Sequence, residues 1–274
     1  MLSPDHAVLI DGVLIPIRYL VNGATIVQQA VAEVTYWHVE LPRHDLLLAE
    51  GLACESYLDT GNRASFENGG TVTRLHADFA ADRFARHVWA TQSCAPLVLD
   101  GPVREAAHGR LCARAETLGY ELTGDPDLRL RAKGQLLRPR HHGRCHLFAL
   151  PPGTQRVHLL SRSAVPAQRS AALTDHRRLG VAVAQVLGDE GPLRLDETVC
   201  LDGWHGMETG FRWTDGDAVL RVAGVRRLAV TVALTEDYWR KVRIADGTAA
   251  RDVAGRRLPA RRRSIPSSSR RQVG

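Results

Sequence analysis

The sequence predicts a mainly β chain with a helix-containing connector and a β-sandwich-like region downstream. Three observations carry that reading. Valines and leucines come in short runs, within an apolar fraction of 44 %. Twenty-four glycines and 13 prolines break those runs into strand-sized pieces. One stretch alone keeps a clear helical stripe, Val103, Ala107, Leu111, Ala115 and Leu118.

In chain order, residues 6–20 (HAVLIDGVLIPIRYL) read as two strands around the Asp11-Gly12 turn, a dipeptide that tolerates the positive φ of a tight hairpin. Residues 24–29 and 34–41 read as further strands, the second from its alternation, with Trp37 in the core. HDLLLAEGL is a strand that ends near Gly51, and residues 56–70 are turn-rich. A helical tendency runs over Asp78–Trp89, and a helix over 102–118 has Pro102 at its start and Gly119 as its stop. Strands are then expected at 127–131, 145–150, 155–161, 179–187, 211–213, 217–223 and 226–234. Between them fall turn signals such as Pro151-Pro152-Gly153, Gly188-Asp189 and Asp215-Gly216. The expected division is 1–68, a connector 69–120, a β-sandwich-like region 121–248 and a tail 249–274.

Net charge is +6, but residues 251–274 hold eight arginines against one acid. The remaining 250 residues carry 28 basic and 29 acidic groups, hence −1. The basicity is a tail property, and a tail rich in Arg, Ser, Pro and Gly is expected to be disordered rather than a specific nucleic-acid surface. Five scattered cysteines (54, 94, 112, 145 and 200) form no CxxC, so no metal knuckle or cofactor is expected. The opening residues lack a signal-peptide pattern and no run of 18 apolar residues occurs. A cytoplasmic location is the default expectation, with signal-less export as the alternative.

Ser3-Pro4-Asp5-His6, the two strands, Leu20-Val21-Asn22-Gly23, then the block VTYWHVEL…HDLLLAEGL…ESYLDTGNR resemble the bacterial hedgehog/intein (Hint) domain family. The resemblance spans about residues 2–68 and falls on the C-terminal part of such a domain. It implies a partial Hint-type β fold and self-processing chemistry. In the family, a Cys or Ser at the domain's first position adds to the preceding carbonyl and turns an amide into a thioester or ester. A histidine polarises or protonates the departing nitrogen. By resemblance, His6 matches that histidine. Ser3 stands where the family usually has Thr. His38 falls where many relatives place an Asp or His that helps the acyl shift, and His44 matches a histidine of the late block.

Two departures qualify the match. No Cys precedes His6, and Glu55-Ser56 stand where splicing inteins end in His-Asn. A carboxylate cannot cyclise as that amide does. The expectation is a hedgehog-type cleaver, inactive alone, that needs a Cys-bearing N-terminal half in cis or in trans. No turnover activity is expected from this chain by itself. A fragment of this kind would leave strand edges open, to be covered by the rest of the chain or by a separate N-terminal half, unless the true protein is longer.

Downstream, Ser161-Arg162-Ser163 and Asp175-His176-Arg177-Arg178 suit an anion or a sugar, or else solvated loops and an Arg–Asp pair. Trp204, Trp213 and Trp239 suit sugar stacking or a core. The second functional reading is therefore a binding module for a glycan or surface partner.

Overall fold

Asp11 and Gly12 take φ of 52° and 80°, which a two-residue hairpin requires. They join strand β1 (Ala7–Ile10) to β2 (Val13–Pro16). Glu50 and Gly51 repeat the device at φ 53° and 81°, joining β3 (Leu46–Ala49) to β4 (Leu52–Glu55). The two hairpins form one antiparallel sheet in the order β2-β1-β4-β3, with Val8 opposite Cys54 at the seam. These positions come from a computed structural model, which describes residues 1–63, 83–170 and 172–242.

Helix α1 (Arg83–Gln92) and helix α2 (Gly101–Thr117) follow. Ala107 of α2 is buried with Val8, Ile15, Leu20 and Cys54, and Leu111 and Val98 pack against them. The stripe read from the sequence is thus the face that covers the sheet, except that its outer members Val103 and Leu118 stay about half exposed. The outer edge of β2 is covered too. Leu14 donates its N–H to Pro96 O and accepts from Val98 N–H, both at 2.9 Å. At the other edge β3 pairs with β4 alone among the described residues, and Leu48 is 79 % exposed.

Strands β5 (Tyr120–Thr123), β6 (Arg129–Ala132), β7 (Gln135–Leu137), β8 (Arg140–His142), β9 (Cys145–Ala149) and β10 (Arg156–Leu160) come next. They are followed by β11 (Val181–Gly188), β12 (Gly191–Leu193), β13 (Trp204–Glu208), β14 (Phe211–Thr214), β15 (Asp217–Arg221), β16 (Arg227–Thr235) and β17 (Tyr238–Lys241). One sheet has the order β15-β10-β6-β7. The other runs β13-β14-β11-β16-β9-β8, with β12 on β11. Leu130, Val157, Leu159 and Leu220 from the first meet Val183, Val186, Leu228 and Val230 from the second in a single core. This is the β-sandwich arrangement, inward residues alternating with outward ones along each strand. β17 instead pairs with β5, beside α2.

Asn22 ties the first sheet to its surroundings. It is 1 % exposed, and its Oδ1 accepts from the N–H groups of Ala24, Thr25 and Ile26, each at 3.0 Å. Its Nδ2 donates to Leu111 O on α2, and its carbonyl accepts the Trp239 indole N–H at 2.9 Å.

Several expectations need correction. Residues 24–29 and 34–41 are not strands. The amides of 24–26 are taken by the Asn22 side chain, which offers the backbone an alternative to a ladder. In 34–41 only Glu40 makes a bridge, with Tyr57. Trp37, expected in the core, is 87 % exposed, and Val34, Tyr36 and Val39 are exposed beside it. The alternation there marks no buried face. β4 went unread because Glu50-Gly51 lacks the usual Asn or Asp of a hairpin turn. β5, β7, β8, β12, β13 and β17 are short or polar and give no apolar pattern. The described helix begins at Arg83; the rest of the stretch predicted helical from Asp78, the end of the turn-rich 56–70 and the basic tail lie outside the described residues. Trp213 is 5 % exposed, and Trp204 packs on the core with its N–H on Val219 O.

Asn22→Ala removes an acceptor of three amides and the donor to Leu111 O. Leaving such buried groups unsatisfied costs about 1–3 kcal/mol each, with non-additive sums. Urea denaturation is expected to show a loss of about 2–4 kcal/mol, and Asn22→Asp, which keeps the acceptor, a smaller one. Equal losses for the two variants would refute this account of the loop.

Candidate active site

The first sheet and the loops around it bring three histidines and a carboxylate together. His6 immediately precedes β1. Its N–H donates to Ser3 O at 3.1 Å, and its carbonyl accepts from Ile17 N–H at 3.0 Å. Asp5 forms an ion pair with Arg18, so the short Ser3–His6 turn is anchored at both ends. Ser3 enters this arrangement through its carbonyl.

Glu55, the last residue of β4, is 9 % exposed. Removing an isolated carboxylate from water costs several kcal/mol, so a buried one must find donors. Its Oε1 accepts from Ala7 N–H at 2.7 Å, the amide next to His6. Its Oε2 lies 3.6 Å from His44 Nε2. His44 in turn accepts from Cys94 N–H at Nδ1, 3.0 Å away. That bond leaves Nε2 as the protonated nitrogen, which faces the carboxylate. The His44 side chain is 1 % exposed, and its ring meets the Trp89 ring edge-on at 5.6 Å.

His38 completes the group. Its ring centroid lies 5.5 Å from that of His6 and 6.2 Å from that of Tyr57. Burial, and the proximity of His6, push the His38 pKa below its ordinary value, while the Glu55 charge acts in the opposite sense. Tyr57 is pushed up to about 12 by burial and by the Asp59 charge, so its hydroxyl stays a donor. His6 Nε2 is buried and has no hydrogen-bond partner among the described residues. A buried polar atom left unpaired is costly, and His44 Nε2 is also without a hydrogen bond.

The loop that carries His38 is held from outside. Arg63 pairs bidentately with Glu40, at 3.0 Å and 2.5 Å, and with Asp59 at 2.9 Å. Its guanidinium sits over the Tyr57 ring at 5.4 Å. The backbone of the two segments is joined by Tyr57 N–H to Val39 O at 2.7 Å.

The structure thus gathers His6, His38 and His44, and places Ser3 in the turn before His6. Sequence reasoning missed the role of Glu55. Its signal was an acid inside the otherwise apolar stretch LACE, a pattern that a carboxylate with buried partners leaves. Two cysteines lie near. Cys54 is buried with its thiol on Leu47 O, and burial raises its pKa. Cys94 is also raised, by desolvation first and then by the charges of Asp45 and Glu55. Neither is poised as a thiolate.

The depressed pKa of His38 has a sign. The unfolded chain takes up a proton near the ordinary value of 6.5 while the folded chain does not. Stability is therefore full above 6.5 and falls as the pH drops from there toward the folded pKa. His146, lowered mainly by burial, adds to the same slope. Denaturation midpoints of the chain and of His38→Gln between pH 5 and 7 check this. The variant should show a shallower acid loss, and an unchanged slope would exclude a depressed His38.

No curated protein and no solved structure matches the chain. Residues 1–61 match a family model described as Hint domain. The matched range contains Ser3, His6, His38, His44 and Glu55, and it includes the whole four-stranded sheet. The stretch similar to the Hint domain, residues 1–61, thus holds the histidine cluster of this chain.

Proposed function

We propose that the cluster is the acid–base part of a self-processing centre that cleaves a peptide bond by an N-to-S or N-to-O acyl shift. One observation carries the reading. In a segment that matches a Hint domain model, the buried His6 Nε2 has unspent hydrogen-bonding capacity beside His38, and a buried carboxylate holds the next amide.

In this reading a thiol or hydroxyl adds to the carbonyl carbon of the scissile amide, and its proton passes to His38, which is kept neutral. The C–N bond then breaks. His6 delivers a proton to the departing nitrogen, so the acyl group moves to sulfur or oxygen and an amine is released. The Glu55 carboxylate stabilises positive charge on the imidazoles, and it holds the Ala7 amide and thus the His6 backbone, while His44 faces its other oxygen. Ser3 shapes the turn. Neither Cys54 nor Cys94 suits the nucleophile, so it is proposed to come from a Cys-bearing Hint half, in cis or in trans. The exposed apolar side chains of Val34, Trp37, Val39 and Leu48, together with the one-sided edge of β3, support a docking place for such a half. The reaction is a single self-directed event, without turnover.

Mixing the chain with a Cys-initiated Hint N-terminal half, with thiol present to capture the thioester, should yield a new fragment by mass spectrometry. His6→Ala should slow its appearance about 10²–10⁴-fold, the range for a lost acid or base. His38→Ala should slow it less and move its pH dependence. Glu55→Gln keeps the acceptor of Ala7 N–H but loses the charge, and should slow cleavage while the fold persists. Absence of any fragment with a complete, folded domain would sink the proposal.

A further inference from the structure

We infer that the chain has a second site, a cavity that binds a short acidic oligosaccharide of the hexuronate type. The cavity measures about 610 Å³ and lies between residues 22–30 on one side and residues 163–178 and 237–239 on the other. It falls within the size range of small-molecule sites, roughly 300–1,000 Å³. A neighbouring hollow of about 200 Å³ shares Gln28, Gln168 and His176 with it.

The charge pattern selects an anion. Along the segment Asp175–Arg178 the side chains alternate in role. Asp175 and Arg177 pair with each other at 2.7 Å, and Arg177 also reaches Glu208 at 2.9 Å. His176 and Arg178 line the cavity instead, and neither has a side-chain partner among the described residues. The backbone at Arg178 is fixed, because its carbonyl accepts from His205 Nε2 at 2.7 Å. The other guanidinium on the wall, Arg169, is already met by Glu236 and Asp237. Arg178 is therefore the cation left for a ligand, and a guanidinium matches a carboxylate bidentately.

The rest of the lining selects a sugar. Gln28, Gln168 and Ser163 can both donate and accept, as vicinal hydroxyls require. Trp239 supplies an aromatic wall, and its indole N–H on Asn22 O holds the ring in place. A small inorganic anion would use Arg178 and leave most of this volume and polarity unmatched.

Isothermal titration of the full chain with di- and trigalacturonate tests the inference, with the matching neutral oligosaccharides and inorganic phosphate as separate arms. The uronates should bind at least tenfold more tightly than either. Arg178→Gln should weaken uronate binding at least tenfold, with circular dichroism unchanged. Arg156→Gln, an exposed charge elsewhere, should leave it unchanged. Gln168→Ala should weaken it as well. No uronate binding, equal binding of the neutral sugars, phosphate as tight as the uronates, or indifference to Arg178→Gln would each overturn it. Cleavage at the histidine cluster does not enter this readout.

Discussion

A carboxylate withdrawn from water has to be answered by donors, and the answer given to Glu55 organises the first sheet. One oxygen holds the amide that follows His6, and the other faces His44. Those two residues belong to opposite ends of the segment, joined across the β1–β4 seam. The contacts that answer the buried charge therefore also tie the backbone beside His6 to the His44 ring. Under the proposed reading, stability and chemistry meet at this carboxylate, and a change there would touch both.

Around that centre the chain uses different means for the two loops that regular strands do not fix. Polar side chains do it. Asn22 gathers three amides of its own loop and reaches both α2 and Trp239 of β17. Arg63 draws Glu40 and Asp59 together outside His38. The first lies in the interior, where each hydrogen bond counts fully. The second is exposed, where ion pairs contribute little individually, so its worth lies in geometry: a planar guanidinium fixes two carboxylates and a ring at once.

The sequence made the strand-rich character, the first hairpin, the stripe of α2 and most sandwich strands legible, because each rests on a local period. It misplaced what depends on partners distant in sequence. Residues 34–41 alternate as a strand should, yet no described strand lies beside them, and a pattern without a neighbour is only a pattern. Trp37 shows the same failure, since size and apolarity do not say what will cover a ring. In the site, His6, His38 and His44 could be named from the family resemblance. Their common partner could not, because Glu55 stood where a different residue type was anticipated. Likewise His176 and Arg178 were visible as charges, but which of the four residues 175–178 would be satisfied by its neighbours was decided by Glu208, thirty-odd positions on.

The bridge between Leu14 and the segment around Leu97 makes the sheet directional. One margin is sealed by the chain's own backbone, and the opposite margin ends at β3 with Leu48 in solvent. Among the described residues, only the β3 margin is left for an added strand. The open side is the one that leads into β3 just after His44. In the reading proposed above, a guest strand added at β3 would lie on the strand that follows His44, so the fold itself would set where it docks.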